Sequence, residues 1–198
     1  MRELAGVILA AGLSSRMGMF KPLLEIGGKS MIRRVMELMQ NTGADPVIVV
    51  TGHRHEELEA HLAGCGVRFV RNPNYASTQQ LESLQLALAA LPGDCGRVLV
   101  TPADIPLVRP DTVERLLAVK GDFIRPHFEA RTGHPVVLSA GLIPFLLRYD
   151  GPGGLKGAVN QSGCVIRDIG VDDPGVLIDN DTPDDFQRTL ARFEEVCK

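Results

Sequence analysis

Short apolar runs alternate with helical patterns along the first half of the chain. Four runs rich in Val, Ile or Leu are bounded by turn residues and predict strands over residues 5–10, 46–51, 67–71 and 97–101. Between these runs, apolar side chains recur at the three- and four-residue spacing of an amphipathic helix. Strands that alternate with helices in this way predict a parallel sheet with helical crossovers on both faces.

Each predicted helix has an apolar face and a residue that ends it. The three helices are marked by Ile32, Val35, Met36 and Met39 before Gly43, by Leu58 and Leu62 before Gly64, and by Leu81, Leu84 and Leu88 before Pro92-Gly93. After residue 120 the pattern predicts strands over 122–125, 135–139 and 165–169 and a short helix over 142–149. A last helix begins with Thr182 as its cap, Pro183 in the first turn, and Asp184 and Asp185 near its positive end.

These elements predict one α/β domain over residues 1–198, a three-layer sandwich around a mostly parallel sheet. No internal repeat, low-complexity tract or Pro/Ser-rich linker divides the chain. A chain of 198 residues buries roughly 70% of its unfolded surface, enough for one sizeable core.

Composition excludes several classes of protein. The net charge of −3 argues against a protein that coats nucleic acid, and no apolar run approaches the ~20 residues needed to cross a bilayer. The first residues lack the apolar region of a signal peptide. The cysteines, far apart and without a Cys-x-x-Cys pair, are predicted to be reduced thiols: Cys65, Cys95, Cys164 and Cys197. We therefore expect a cytoplasmic protein with neither a nucleic-acid nor a membrane partner.

The strongest chemical signal is the segment LAAGLSSRMGMFKPLL, residues 9–24, which follows the first predicted strand. The small side chains at Ala10, Ala11 and Gly12 let backbone N–H groups approach phosphate oxygens closely. Arg16 can bind a phosphate with its forked guanidinium, and Lys21 supplies a second positive charge. Such a loop suits a triphosphate that loses pyrophosphate.

Two commoner phosphate-binding loops do not fit. Walker A fails because its first glycine would fall at Leu23, so Gly27-Gly28-Lys29 is interpreted as a turn before a helix. The dinucleotide fingerprint Gly-x-Gly-x-x-Gly fails at Ser14 and Met17.

The segment instead resembles the opening signature of the molybdenum-cofactor-type nucleotidyltransferases. The resemblance implies the Rossmann-like fold of nucleotide-diphospho-sugar transferases and a loop that wraps the phosphates of the nucleotide. It implies nucleotide contacts at Leu9, Ala10, Ala11, Gly12, Ser14, Arg16, Gly18 and Lys21, with Arg16 and Lys21 also catalytic. The Ala-Ala-Gly form is more similar to the cytidylyltransferase branch than to the guanylyltransferase branch.

Asp104 follows the buried strand 97–101, at the sheet edge where open α/β proteins bind ligands. Mg²⁺, which accompanies nucleoside triphosphates, favours carboxylate and phosphate oxygens. The residue alone equally allows an aspartate that closes its own loop. Beside the phosphate loop we predict that Asp104 is a metal ligand and catalytic, and its segment is similar to the family's Asp-x-Pro-Leu-Val motif.

Further segments resemble the acceptor half of the family. Asn72 and Ser83 either bind the ligand or cap a turn and a helix, and the family's glycine near 77–78 is replaced by Ser77 and Thr78. His134, in Gly-His-Pro, either hydrogen-bonds the acceptor or holds a backbone group. Residues 151–157 form either a mobile lid with Lys156 or ordinary turns.

The segment Asp179-Asn180-Asp181-Thr182-Pro183 resembles the family's Asp-Ile-Asp-Thr-Pro motif. The segment either serves only the helix cap, which accounts for Thr182 and Asp184, or brings Asp179 or Asp181 to the metal from the other side, with Asp181 as the candidate second ligand. The remaining histidines suggest no metal site and are expected to face solvent: His53, His55 and His61.

Together these residues predict a Mg²⁺-dependent nucleotidyltransferase. The leading hypothesis is transfer of CMP from CTP to a phosphorylated small molecule such as molybdopterin, by a monomer or weak homodimer with a molybdoenzyme-maturation partner. The alternatives are a guanylyl- or sugar-phosphate nucleotidyltransferase, a non-catalytic nucleotide-binding module, and a glycosyltransferase. The last would normally carry Asp-x-Asp, which is absent around Asp104 because positions 102 and 106 are proline.

Overall fold

A computed structural model describes residues 2–196 and places one mixed sheet at the centre of the chain. The strand order is β10-β7-β9-β6-β1-β4-β5, with β8 paired to β7. The strands of this sheet are β1 Arg2–Leu9, β4 Val47–Thr51, β5 Val67–Arg71, β6 Cys95–Pro102, β7 Phe123–Phe128, β8 Arg131–Thr132, β9 Val136–Ser139 and β10 Ile166–Gly170. A separate hairpin joins β2 Glu25–Ile26 to β3 Lys29–Ser30.

The central strands are parallel, as the alternation of strands and helices predicts. Strand β1 pairs in parallel with both β4 and β6, β4 with β5, and β7 with β10. Strand β9 runs antiparallel between β6 and β7, because a short connection without a helix brings the chain back beside them. The predicted α/β sandwich around a mostly parallel sheet is confirmed.

Helices cover both faces of the sheet. One hydrophobic core includes Ile32, Leu58 and Val113, and a second, on the other face, includes Leu84 and Leu146. The helices are α1 Met31–Asn41, α2 His55–His61, α3 Gln80–Ala89, α4 Pro110–Leu117, α5 Ile143–Arg148, α6 Gly154–Ser162 and α7 Pro183–Val196. Short 3₁₀ turns cover Lys21–Leu23, Ala140–Leu142 and Pro174–Leu177. No helix within residues 2–196 is long and apolar enough to span a membrane.

Most predicted elements are present within a few residues of their predicted bounds. Gly27 and Gly28 form the turn of the β2–β3 hairpin with φ of 55° and 72°, and α1 follows at once, so the turn interpretation is confirmed. Thr182 caps α7 through a reciprocal hydrogen bond with Asp185 (Oγ1 to Oδ2, 2.6 Å). Cys65, Cys95 and Cys164 are free thiols, while Cys197 lies outside the described residues.

The structure adds contacts at three places that the local pattern does not specify. The segment 151–157 is a turn that runs into α6, which begins at Gly154. His53 is packed between the rings of Phe20 and Tyr75, with ring centroids 5.9 Å and 6.0 Å apart. His61 hydrogen-bonds Ser30 Oγ at 2.8 Å and accepts a hydrogen bond from Arg33 Nε. His53 and His61, like His55, are half-buried, so they face solvent only in part. Their neighbours come from distant parts of the chain, which local spacing does not reveal.

The topology brings two predicted loops to one edge of the sheet. Leu9 at the end of β1 lies beside Pro102 at the end of β6, and both strands run in the same direction. The loops that follow, residues 10–20 and 103–109, therefore begin side by side at the carboxyl ends of the strands. This edge is where ligands bind in open α/β sheets.

Candidate active site

A cleft of about 170 Å³ opens at the carboxyl ends of β1 and β6. Its floor is the loop after β1, one wall is the loop after β6, and the other wall is the start of α3. The lining residues are Leu9, Ala10, Ala11, Gly12, Ser14, Lys21, Pro22, Tyr75, Thr78, Gln79, Gln80, Ser83, Pro102, Ala103 and Asp104. Seven predicted nucleotide contacts and Asp104 thus meet in one cleft.

The loop after β1 is held in shape by its own residues. Ser14 and Gly18 take left-handed conformations, with φ of 53° and 69°, and reverse the chain twice. The Ser14 hydroxyl accepts a hydrogen bond from the backbone N–H of Lys21 at 3.3 Å. Met17 and Phe20 are buried and anchor the loop to the core. Gly18 shapes the loop and is not among the residues that line the cleft.

The side of Gly12 that would carry a side chain is open. A Cβ atom placed on Gly12 meets no atom within 4 Å, although Gly12 lines the cleft. The open space lies next to the small side chains of Ala10 and Ala11. No neighbouring atom at Gly12 therefore blocks the predicted approach of a phosphate to this backbone.

Two acidic and two basic side chains form an ion cluster beside the cleft. Lys21 Nζ lies 3.1 Å from Asp104 Oδ2 and 2.7 Å from Asp181 Oδ1. Arg16 NH2 lies 2.6 Å from the other oxygen of Asp181, Oδ2. The Lys21 side chain is only 12% exposed, whereas that of Arg16 is 70% exposed. The structure therefore brings together all four predicted catalytic and metal-binding residues, although Asp181 is 160 positions from Lys21.

The charges in this cluster stabilise one another. Burial lowers the pKa of Lys21, but its hydrogen bonds with Asp181 and Asp104 and their charges raise it more, so the net pKa is raised. The hydrogen bond from Lys21 lowers the pKa of Asp181. Asp179 differs, because burial and then the charges of Asp181 and Asp104 raise its pKa. Lys21 and Asp181 are therefore charged at neutral pH.

Asp104 and Asp181 are suited to a shared divalent cation. One carboxylate oxygen of each lies within hydrogen-bonding distance of the same ammonium nitrogen, so both point at one position. Within the described part of the chain, no group of three or more His, Cys, Asp or Glu side chains could hold a metal ion. A pair of carboxylates still fits Mg²⁺, which keeps several waters and takes phosphate oxygens of its substrate.

Asn180 ties the two acidic loops together. Its side-chain Nδ2 donates to the backbone carbonyl of Asp104 at 2.8 Å. The residue is fully buried, and its Oδ1 has no hydrogen-bond partner among the described residues. Position 180 stands between Asp179 and Asp181, so this bond sets the position of the Asp181 loop against that of Asp104. The sequence analysis assigned no role to Asn180.

A second cavity, of about 500 Å³, adjoins the cleft and shares Gln79 and Gln80 with it. Arg125, His134 and Lys156 lie in its lining, which contains no Asp or Glu. The other lining residues are Leu81, Phe123, Thr132, Gly133, Val136, Gly153, Gly154, Leu155, Val159 and Asn160. The segment predicted to lie near an acceptor therefore does form a cavity, with the start of α6 as one wall.

Burial lowers the pKa of His134 to about 4, although the charge of Asp104 and a hydrogen bond with the Val100 backbone oppose this. His134 is consequently neutral at pH 7. Its backbone N–H donates to the Val176 carbonyl at 2.9 Å, and its Nδ1 is buried without a hydrogen-bond partner in residues 2–196. His134 lines the second cavity and not the first.

Asn72 hydrogen-bonds two residues that line the cleft. Its Nδ2 donates to the hydroxyls of Thr78 and Ser83, both at 2.9 Å, and its Oδ1 accepts from the backbone of Asn74. Asn72 is buried, while Thr78 and Ser83 line the cleft. Of the two roles open to Asn72, the turn-closing one matches these contacts. Thr78 accepts the Asn72 hydrogen bond at one of the positions where the resemblance predicts a glycine.

The chain matches a known family model and several curated proteins. Residues 6–165 match the model of the MobA-like NTP transferase domain. The bifunctional protein GlmU of Francisella philomiragia is 39% identical over 123 residues, which are 61% of this chain and 26% of that protein. The chain thus spans about a quarter of the length of the curated relatives it matches.

Solved structures match along nearly the whole chain. A nucleotidyl transferase from Methanothermobacter thermautotroptrophicus, Mth528, has a TM-score of 0.85 and 27% identity, with 99% of this chain and all of that chain covered (100%). Rv0371C of Mycobacterium tuberculosis H37Rv, in complex with manganese, has a TM-score of 0.81 and 26% identity, with 96% of this chain and 98% of that chain covered. The chain therefore belongs to the family of MobA-like NTP transferase domains.

Proposed function

We propose that this protein transfers a nucleoside monophosphate, CMP from CTP in the first instance, to a phosphorylated small molecule and releases pyrophosphate. The observation that carries the proposal is the juxtaposition of two cavities. One holds the phosphate loop, Lys21 and Asp104, and the other adjoins it at Gln79 and Gln80 and has a lining without acidic side chains. A nucleotide in the first cavity and an acceptor in the second would meet at their boundary.

The proposed reaction follows from the positions of the two cavities and from the charged side chains beside them. An oxygen of the acceptor phosphate forms a bond to the α-phosphorus, the bond from that phosphorus to the bridging oxygen breaks, and pyrophosphate leaves. The backbone around Gly12 holds the phosphates in place, and Arg16 and Lys21 stabilise the negative charge that develops on the leaving group. A divalent cation held by Asp104 and Asp181 would neutralise phosphate oxygens. A phosphate acceptor is already ionised near neutral pH, so no general base is needed.

The second cavity favours an anionic acceptor. Lys156 and Arg125 contribute positive charge to its lining, although Arg125 is also paired with Asp168 at 2.6 Å. Molybdopterin, which carries a phosphate, is the first candidate because of the motif resemblance. The preference for CTP rests on the Ala10-Ala11-Gly12 form of the loop. The experiments below test CTP and molybdopterin against three alternatives. These are guanylyl transfer, transfer to a sugar phosphate, and nucleotide binding without turnover.

Thermal unfolding in the presence of CTP, GTP, ATP and UTP, each with Mg²⁺, tests the nucleotide assignment. A ligand that binds only the folded protein raises the midpoint of unfolding. We expect a Mg²⁺-dependent rise that is largest with CTP. A larger rise with another triphosphate would be consistent with nucleotidyl transfer but would reject cytosine as the preferred nucleobase. No rise with any triphosphate at millimolar concentration would contradict the proposed function.

Gly12→Leu is expected to abolish stabilisation by the triphosphate while the unfolding midpoint without ligand stays close to that of the wild type. Gly12 lines the cleft, and a Cβ atom added to it meets no protein atom within 4 Å, so the leucine is accommodated without displacing a neighbour. Differential scanning fluorimetry with and without nucleotide measures both effects. Gly141→Leu, at a surface glycine with only the Ser139 hydroxyl nearby, is the matched control. Undiminished nucleotide stabilisation in Gly12→Leu would place the phosphates elsewhere.

Lys156→Ala is expected to raise the KM for the acceptor about tenfold with little change in kcat, since a lost ionic contact that is equal in the ground and transition states weakens binding only. Lys156 is exposed and lines the second cavity. Steady-state kinetics with varied acceptor concentration measure the effect. Lys120→Ala, an exposed lysine outside both cavity linings, should behave as the wild type. An unchanged KM in Lys156→Ala would remove Lys156 from the acceptor site.

Asn180→Leu is expected to raise the Mg²⁺ concentration needed for half-maximal turnover by about 10- to 100-fold, the usual effect of losing a group that orients a metal ligand. The change removes the bond from Asn180 to the Asp104 carbonyl and also the unpaired Oδ1. Mg²⁺ titration of pyrophosphate release measures it, with exposed Asn41→Leu as control. An unchanged Mg²⁺ requirement would show that the link does not position the carboxylates.

The remaining expectations stay predictions. They are a single domain over 1–198, a cytoplasmic location, a monomer or weak homodimer, and a partner in molybdoenzyme maturation. Size-exclusion chromatography with light scattering tests the oligomeric state directly.

A further inference from the structure

The Lys21 ammonium occupies the position at which the two carboxylates would hold a cation. Its nitrogen lies 3.1 Å from Asp104 Oδ2 and 2.7 Å from Asp181 Oδ1. A small divalent cation bound by the same two oxygens would lie about 2.1 Å from each. The ammonium and the cation would therefore occupy overlapping positions. Two positive charges at so short a distance repel each other strongly.

The charges of the cluster favour a cation bound to a triphosphate over a free cation. Arg16 and Lys21 carry two positive charges, and Asp104 and Asp181 carry two negative charges, so the ion pairs among these four side chains balance without a ligand. Asp179 and Asp185 lie near enough to interact with the charge of Lys21. A free divalent cation bound by Asp104 and Asp181 takes both ion-pair partners from Lys21 and places a second positive charge beside it. A complex of the cation with a triphosphate brings both the cation for the carboxylates and phosphate oxygens for Lys21.

Lys21 has the freedom to exchange partners. Its backbone is fixed by the hydrogen bond to Ser14 and by the 3₁₀ turn that begins at this residue. Its side chain lines the same cleft as Gly12, where the phosphates are proposed to lie. A flexible four-carbon stem lets the ammonium move from carboxylate to phosphate without a backbone rearrangement.

We propose that Lys21 is the specificity-determining residue that makes this site accept a divalent cation only together with a nucleoside triphosphate. In the free protein Lys21 acts as the internal counterion of Asp104 and Asp181 and excludes free metal. The substrate is accordingly the metal–triphosphate complex, not the two components in sequence with the metal first. The inference rests on the proposed function, because it assigns the phosphates to the cleft beside Lys21.

Mn²⁺ alone, followed by the electron paramagnetic resonance signal of the free ion, tests the proposal without turnover. We expect weak binding by the wild type and binding at least about tenfold tighter by Lys21→Met, since the competing charge is removed. The double variant Lys21→Met/Asp181→Asn should lose the gain. Lys120→Met, in the connection between α4 and β7 and outside the cleft lining, should bind as weakly as the wild type.

Lys21→Gln provides a second uncharged variant in case Lys21→Met does not fold, with circular dichroism as the check on folding. Binding of Mn²⁺ by both variants no tighter than by the wild type would overturn the proposal, as would a gain that persists in the double variant. Pyrophosphate release by the wild-type preparation separates the two claims. Release without any gain in Mn²⁺ binding rejects the role of Lys21 and keeps the proposed function. A gain without release supports competition at the cation position and rejects the transfer reaction.

Discussion

Asp104→Ala is expected to lower kcat for pyrophosphate release by at least about 10³-fold, because the variant loses a metal ligand in a reaction that depends on neutralising phosphate charge. The Asp104 side chain is 22% exposed and has Lys21 as its ion-pair partner. Removing it leaves Lys21 paired with Asp181 at 2.7 Å, so the fold should survive. The kcat, the KM for nucleotide and the midpoint of unfolding are measured together.

Asp111→Ala is the matched control for this change. Asp111 is an exposed aspartate in the first turn of α4, and it lines neither cavity. We expect wild-type turnover from it. If Asp104→Ala and the wild type are both folded and their turnover differs by less than tenfold, Asp104 is not the metal ligand. Asp104 would then serve only to close its own loop, the alternative role that the sequence allows.

Arg16→Ala is expected to lower kcat by about 10²- to 10³-fold with a smaller change in the KM for the nucleotide, since Arg16 is proposed to act mainly on charge that develops as pyrophosphate leaves. Its side chain is 70% exposed and contacts Asp181 Oδ2 at 2.6 Å. Because an exposed ion pair contributes little to stability, the unfolding midpoint should hardly change.

Steady-state kinetics with varied CTP separate the two parameters for Arg16→Ala. Arg188→Ala, which removes another exposed arginine paired with an aspartate, is the control. A rise in KM with unchanged kcat would mean that Arg16 binds the nucleotide equally in the ground and transition states. Full activity in Arg16→Ala would contradict the proposed mechanism.

The sequence predicted those parts of the site that depend on neighbouring residues. The loop after β1 is a local motif, so its small residues, Arg16 and Lys21 are recognisable from order and spacing. Asp104 is predictable because a carboxylate directly after a buried strand lies at the ligand-binding edge of an α/β sheet. The helix cap at Thr182 is likewise local, since its partner Asp185 is three residues away.

Contacts between distant residues were harder to predict. The ion pair of Lys21 with Asp181 joins residues 160 positions apart, and the bond from Asn180 to Asp104 spans 76. Neither the period of the apolar residues nor a local motif specifies such pairs. The same reason explains why the partial burial of His53 and His61 was not predicted, since their neighbours belong to other elements. Strand β9 is antiparallel because a short connection without a helix precedes it. The alternation of helices and strands predicts parallel pairing and therefore does not predict this strand's direction.

Gln79 and Gln80 were missed for a different reason. They lie at the boundary of the two cavities, at the start of α3, where Glu82 accepts a hydrogen bond from the Gln79 backbone at 3.0 Å. A glutamine at a helix start has an ordinary structural explanation. Only the shared lining of the two cavities shows that both residues border each of them.

Pyrophosphate release tests the central claim most directly. The wild-type protein is incubated with CTP, Mg²⁺ and a phosphorylated acceptor, molybdopterin first, with Asp104→Ala in parallel, and the acceptor is analysed by mass spectrometry. We expect pyrophosphate and an acceptor that gains one CMP in equal amounts, both lost in Asp104→Ala. Nucleotide binding without pyrophosphate from any of the four triphosphates, across sugar-phosphate and pterin-phosphate acceptors, would reject nucleotidyl transfer and identify a nucleotide-binding module.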